Sequence, residues 1–338
     1  MKTIVEERGP APSPERQSFA VSTTASVGVH ANLKTILVPL DFSRPATEAL
    51  DYATELAKPF TARIHLVYVQ TPDEACDVPA AGHLMRECAE SVTFLREKLS
   101  AIRQGSQQFW PENCHIRTGR AHEEICELAR ELPVDLIVIA SRGNKGLKRV
   151  VLGSTAERVA RFSPCPVLVV RKRKDRSRVP LGLGSAPKGL AIRKILAPVD
   201  FSQCSMAGAM YAAFLSRTLK AKLCLFHVIQ SPAPIVMNRP ETSFPNGTNL
   251  NLANARLDME AFSKLGFLQK VEPAIEIRTG RPVDEICREA SQSDVDLVVI
   301  STHGRTGFER ATIGSVAEQV ARYAECPVLI VPSRCSNY

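Results

Sequence analysis

The segment with the clearest chemical meaning is Ala140-Ser141-Arg142-Gly143, followed after nine residues by Gly153-Ser154-Thr155. It recurs as Ser301-Thr302-His303-Gly304, nine residues, then Gly314-Ser315-Val316. Each copy starts where an apolar run ends, as at Leu136-Ile137-Val138-Ile139 and Leu297-Val298-Val299-Ile300. Gly143 and Gly304 therefore sit where a buried strand turns and its backbone N–H groups become available. Glycine there permits positive φ and lets a phosphate approach the backbone closely. Gly153 and Gly314 open a helix, whose free N–H groups and dipole favour an anion. Ser154 and Ser315 can add a hydroxyl. The chemistry in view is the holding of a phosphate by main chain. A purely structural account stands beside it, because Ser154-x-x-Glu157 and Ser315-x-x-Glu318 have the form of capping boxes, which would satisfy the same N–H groups internally.

Other motifs exclude whole classes of chemistry. No Gly-x4-Gly-Lys-Ser/Thr occurs, so no P-loop ATPase is indicated, and no Gly-x-Ser-x-Gly elbow occurs. His122-Glu123-Glu124-Ile125-Cys126 lacks the second histidine of a zinc protease motif. The seven histidines show no metal-ligand spacing, and none of the ten cysteines forms a C-x-x-C pair. Cysteines inside apolar runs, such as Leu223-Cys224-Leu225, read as small buried hydrophobes in a reducing cytosol. Cys165 and Cys326, each in Cys-Pro-Val-Leu, read as packing residues. His65 reads as a structural histidine inside a strand. His227 reads the same way, close to the candidate site.

The elements that position these residues follow from an internal repeat. Ile36-Leu37-Val38-Pro39-Leu40-Asp41-Phe42-Ser43 returns as Ile195-Leu196-Ala197-Pro198-Val199-Asp200-Phe201-Ser202. Ile116-Arg117-Thr118-Gly119-Arg120, Gly153-Ser154 and Cys165-Pro166-Val167-Leu168 each return 161 residues later, as Gly153 does at Gly314. Within a copy, apolar runs alternate with amphipathic ones. Copy one reads as strands at 34–40, 63–69, 112–117, 134–140 and 166–170, with helices at 44–57, 84–103, 121–131 and 154–162. Copy two follows the same course, with its second-loop helix at 250–266 and its last helix at 315–323. Strands apolar throughout are buried on both faces, and alternation with helices implies parallel pairing through right-handed crossovers. The expected fold is α/β: two tandem doubly wound, Rossmann-like domains, each a five-stranded parallel sheet. Ligands of such sheets bind outside the carboxyl ends of the strands, where strand order reverses. Asp41 and Asp200 belong there, where a carboxylate can accept hydrogen bonds from a ribose or an adenine amine.

Four segments are expected: a disordered tail over 1–32, domain one over 33–171, a basic flexible linker over 172–192, and domain two over 193–333. The chain has 338 residues, 44 % hydrophobic and 23 % charged, ordinary for globular protein. Much of the net charge of +8 comes from Arg171-Lys172-Arg173-Lys174 with Arg176 and Arg178. We read that run as a solvated spacer, because the domains themselves are near balance and present no nucleic-acid face. No run reaches the ~20 apolar residues of a membrane span, and a cytoplasmic location is expected.

The chain resembles the universal stress protein family from strand one to strand five of both copies. Members that bind ATP carry Gly-x-x-Gly, nine residues, then Gly-Ser or Gly-Thr at this place, with an acidic residue after strand one. The resemblance implies strand order 3-2-1-4-5 and an adenine nucleotide, ATP with Mg2+ or AMP, as a regulatory ligand. It adds Val69 and Val228 as walls against the adenine, and it places Arg142 and His303 in the nucleotide loop. No catalytic residue is implied, and at most a slow incidental hydrolysis. This sequence departs from the pattern at its first glycine, replaced by Ala140 and Ser301. Copy two, with Ser-Thr-His-Gly-Arg-Thr-Gly, stands closer to the usual loop and is ranked first. The alternative is a tandem scaffold that binds no nucleotide and acts through protein partners. Single-domain relatives pair through strand five, so the two fifth strands are expected to pair within this chain, and two chains can associate further.

Overall fold

The computed structural model describes residues 33–70, 113–142, 152–171, 192–230, 245–303 and 314–332. The expected tail, the linker and the helix over 84–103 lie outside the described residues. Copy one contributes β1 (Thr35–Pro39), α1 (Arg44–Ala57), β2 (Arg63–Gln70), β3 (Cys114–Thr118), α2 (Ala121–Glu131), β4 (Leu136–Ala140), α3 (Ser154–Phe162) and β5 (Val167–Val170). Copy two contributes β6 (Lys194–Pro198), α4 (Gln203–Leu219), β7 (Lys222–Gln230), α5 (Pro245–Ser263), β8 (Ala274–Gly280), α6 (Pro282–Gln292), β9 (Leu297–Ser301), α7 (Ser315–Tyr323) and β10 (Val328–Val331). Most boundaries agree with the expected ones to a residue or two. The helix expected at 250–266 begins earlier, at Pro245.

The ten strands form one sheet in the order β3-β2-β1-β4-β5-β10-β9-β6-β7-β8. Within each copy all pairs are parallel, and order reverses between β1 and β4 and between β6 and β9. The expected 3-2-1-4-5 order is therefore present in each half. At the centre β5 and β10 run antiparallel, with Leu168 opposite Leu329. The reason lies in those strands. Val167-Leu168-Val169-Val170 and Val328-Leu329-Ile330-Val331 are buried along their whole length, and an apolar edge left open is a pairing hazard that pairing removes.

Because β4 and β9 are buried throughout, each sheet face needs a helical cover. One core packs under α1, α4 and α5 and includes Leu50, Val138, Leu168, Phe214, Val299 and Leu329. The other packs under α2, α3, α6 and α7 and includes Ile137, Val159, Val169, Val298 and Val320. Both cores run through the two copies. Phe60, in the short turn after α1, meets Phe214 of α4 at 5.5 Å between ring centroids, so packing also crosses away from the sheet centre. Among the described residues no helix is long and apolar enough to cross a membrane.

The outer strands are blunted by polar side chains. On β2 and β3, His65 Nδ1 and His115 Nε2 lie 3.0 Å apart, with the rings nearly parallel at 17°. His65 is thus a partnered structural histidine. Burial, joined by Arg63 at His65 and by His65 and Arg117 at His115, holds both rings below the ordinary value of 6.5. The folded state therefore resists protons that the unfolded chain accepts. The stability this pair contributes is present above pH 6.5 and is lost as pH falls below it. The thermal midpoint should decline from pH 7 to pH 5, and His115→Gln should flatten that decline. Parallel decline in both proteins would count against the pair.

Candidate functional site

The turn out of the first strand is built on the same plan in both copies. Asp41 Oδ1 accepts from Ser43 N at 3.0 Å, and Asp200 Oδ1 accepts from Ser202 N at 3.1 Å and from Ser202 Oγ at 2.6 Å. The residue between is left-handed in each case, Phe42 at φ 56° and Phe201 at φ 65°. A non-glycine residue there costs roughly 1–2 kcal/mol. The Asp–Ser turn and the N-caps Ser43 and Ser202, which accept from Ala46 N and Ser205 N, hold it in place. The aspartates thus have a structural duty that the sequence did not reveal. Register carries them to the crevice. Pro39 pairs with Val67 and Pro198 with Phe226, so Asp41 and Val69, and Asp200 and Val228, lie equally far beyond those pairs. Val69 and Val228 are half-buried at the margin of the second core, apolar walls beside the carboxylates.

The capping boxes are corrected by the structure. Ser154 and Ser315 are the first helical residues, and the caps are Gly153 and Gly314, with no side-chain capping bond at either helix. A serine inside the helix cannot turn its hydroxyl back to the N–H groups that a cap serves. The opening N–H groups of α3 and α7 thus point past the carboxyl ends of β4 and β9 with no side-chain cap. Their alignment adds a partial positive charge.

Neither glycine is needed here for positive φ; both are extended, and each packs against the strand-end loop. Gly153 N donates to Ser141 O at 2.8 Å and Gly314 N to Thr302 O at 2.5 Å. A Cβ on Gly153 would meet Ser141 O at 3.4 Å, whereas one on Gly314 would meet Thr302 O at 2.6 Å. The cradle in copy two is the tighter one. Ser154 and Ser315 are exposed at its rim, and Thr155 and Val316 follow, half-buried. Gly143 and Gly304 lie outside the described residues.

Ala140 and Ser301 occupy the departed first-glycine position, and both are buried. Ser301 Oγ donates to His303 O at 2.9 Å and so braces the loop. Its Cβ lies 3.7 Å from where a Cβ on Gly208 would fall, which directs Ser301 toward α4. Copy one has Ala49 at the place of Gly208 and Ala140 at that of Ser301, so it carries a Cβ at both places, whereas copy two leaves the helix side bare opposite Ser301. Sequence reasoning missed Gly208, although the repeat alignment carried the signal.

Arg142 and His303 stand in the loop, His303 Nδ1 being 3.0 Å from Thr302 Oγ1. His227 is near the site, as its position suggested. Its Nδ1 donates to Val199 O at 2.7 Å, and its ring packs against Phe201 at 4.6 Å between centroids, tilted by 38°. The two halves also touch beside the site helices. Arg322 on α7 reaches Glu157 on α3 at 3.4 Å, and Arg171 donates to Ala321 O at 3.1 Å. The cysteines at 126, 165, 224 and 326 are buried. Burial pushes the Cys126 thiol up to about 11 and the Cys224 thiol to about 12, so both are inert packing groups. Among the described residues no group of three His, Cys, Asp or Glu side chains could hold a metal ion.

These features define a doubly wound α/β protein with main-chain cradles at its strand-order reversals. The family model of the universal stress protein family matches residues 32–171 and 191–332, and the chain belongs to that family, with its domain present twice. A universal stress protein of Methanocaldococcus jannaschii is 35 % identical over 145 residues, 42 % of this chain and 84 % of that protein. One of Mycolicibacterium smegmatis is 26 % identical over 310 residues, 88 % of this chain and 97 % of the relative. A solved universal stress protein from Archaeoglobus fulgidus matches with a TM-score of 0.59 at 19 % identity, covering 88 % of this chain and 98 % of that one. At that identity it speaks for the fold.

Proposed function

We propose that this protein is a cytoplasmic stress-response regulator that binds an adenine nucleotide, ATP with Mg2+ or AMP, in at least one of its two domains. The observation that carries this is the pair of helices opened by glycine without a side-chain cap, set where strand order reverses. In copy two, Gly314, Ser315 and Val316 would receive the phosphates. Asp200 would take the ribose, with Val228 against the base. The tighter cradle at Gly314 and the brace from Ser301 to His303 favour that copy. Copy one offers Asp41, Val69, Arg142, Gly153, Ser154 and Thr155 in the same roles. The nucleotide is read as a ligand that biases conformation; no residue is assigned to its turnover, and hydrolysis should be no faster than a slow background.

A specific observation favours the second reading, a scaffold without nucleotide. Asp41 and Asp200 already accept hydrogen bonds from their own turns, which a ribose would have to share. Calorimetric titration of the intact chain with ATP–Mg2+ separates the two. Saturable heat, weakened by Val228→Glu, is expected. No heat at millimolar ATP would leave the scaffold.

A further inference from the structure

Half-buried arginines set the two copies apart. Among the described residues there are four, Arg117, Arg142, Arg171 and Arg322. Arg117 is answered by Glu131, and Arg322 by Glu157 and Glu318. Arg142 and Arg171 meet no carboxylate among the described residues. A charge drawn partly out of water without a counter-charge is unfavourable. The places 161 residues on hold His303 and Pro332, so copy two keeps neither guanidinium.

Arg142 follows β4 and Arg171 follows β5. The strands are parallel partners to their ends, Ala140 opposite Val170, and Ser141 N donates to Val170 O at 2.8 Å. Both side chains therefore depart from one carboxyl edge of the sheet, on neighbouring strands. Arg142 lies against the opening of α3, since a Cβ on Gly153 would meet Arg142 Cα at 3.6 Å. Arg171 crosses the seam between the copies, where its Nη2 donates to Ala321 O of α7 at 3.1 Å. That bond engages one donor and leaves the rest of the fork. Burial, then the charge of Arg142, pull Arg171 below the usual arginine value, and Cys287 and Cys326 act against them. The two cations are thus close enough to repel, and no acid among the described residues offsets them.

We propose that Arg142 and Arg171 form an anion site at the seam between the copies, and that it takes a phosphate group, best as part of a polyphosphate chain. Like charges held near each other favour an anion between them. A guanidinium fork matches phosphate oxygens in pairs. Forks arriving from two strands can each find a pair on a phosphate chain, whereas a single carboxylate has one pair to give. The charge of such a chain also suits two permanent cations. Arg171 gives the site to copy one alone, yet anchors it on α7, the helix that Gly314 opens in copy two. The site shares Arg142 with the nucleotide reading but does not rest on it, because the anion need carry no base.

The test is calorimetric titration of the full chain, at low salt, with tripolyphosphate, ATP and succinate. Tripolyphosphate should saturate and succinate should stay silent. Arg142→Gln and Arg171→Gln should each weaken tripolyphosphate by about tenfold or more, and Arg171→Lys should weaken it less than Arg171→Gln. Arg281→Gln, at an exposed arginine beyond the edge strand β8, should change nothing. The bond to α7 belongs to Arg171, so Arg142→Gln decides the matter if Arg171→Gln fails to fold. ATP weakened by the same variants marks a nucleotide tail as the source of the phosphate. ATP untouched by them marks a free phosphate compound and leaves the nucleotide reading to copy two; ATP silence marks the same source and removes that reading. Silence of tripolyphosphate at about 10 mM, tripolyphosphate binding that survives both substitutions together, or succinate binding of equal strength overturns the proposal.

Discussion

Gly314→Ala should destabilise the protein by about 1–3 kcal/mol, the range for forcing a methyl into a packed site, while Gly153→Ala should cost less than about 1 kcal/mol. The two glycines hold the same place in the repeat and cap equivalent helices, so propensity alone predicts equal effects. The difference is local. The new Cβ in copy two would stand 2.6 Å from Thr302 O, a backbone atom that cannot swing away, whereas in copy one the nearest atom is 3.4 Å distant. Accommodation in copy two must push α7 from the end of β9 and break the bond from Gly314 N to Thr302 O. Urea melts of the two variants beside the parent measure this directly. Equal midpoints for the two would remove the case for a tighter cradle in copy two. If nucleotide binds there, Gly314→Ala should also lose most of its affinity for ATP, since the displaced N–H groups are the proposed phosphate donors.

Leu329→Ala should cost about 2–5 kcal/mol, as for other fully buried leucines, and should lower the stability of both copies together. Leu329 is 1 % exposed, faces Leu168 across the antiparallel pair, and belongs to a core that spans the chain. Loss of its side chain opens a cavity under both halves of the sheet. Calorimetric melting should show one transition in the parent, shifted as a unit in the variant. Two separated transitions in the parent would mean that the halves are energetically independent. The same strand predicts that a fragment of residues 192–338 self-associates, because β10 would otherwise leave an apolar edge open. A strictly monomeric fragment in sedimentation at high concentration would argue against that edge as the driving force.

Much of the fold was legible because its determinants are local and occur twice. Continuous apolar strands, amphipathic helices and constant spacing specify the parallel halves, and the exposed-edge argument at strand five anticipates the central pairing. Helix starts were less legible. Ser154-x-x-Glu157 and Ser315-x-x-Glu318 fit a capping box by type and spacing. The preceding glycine holds the cap and donates to Ser141 O or Thr302 O, and in copy two no Cβ fits against Thr302 O, a contact between residues that no short motif records. The aspartates were rightly placed at the strand ends, yet their bonds to Ser43 and Ser202 depend on a left-handed Phe42 or Phe201 that aromatic side chains do not advertise.

By itself, then, the sequence determined the two-copy architecture, the reversal of strand order, and the candidate residues around the crevice. Periodicity and repetition report burial and topology, and these depend on residue type along the chain. Only the tertiary structure decided which glycine is tight, which way Ser301 faces, and that a core leucine of copy one is answered in copy two by a buried Glu289 paired with Lys194 and Arg278. Those outcomes turn on contacts of 2.6 to 3.7 Å between segments far apart in sequence, and no local pattern records a distance across the fold.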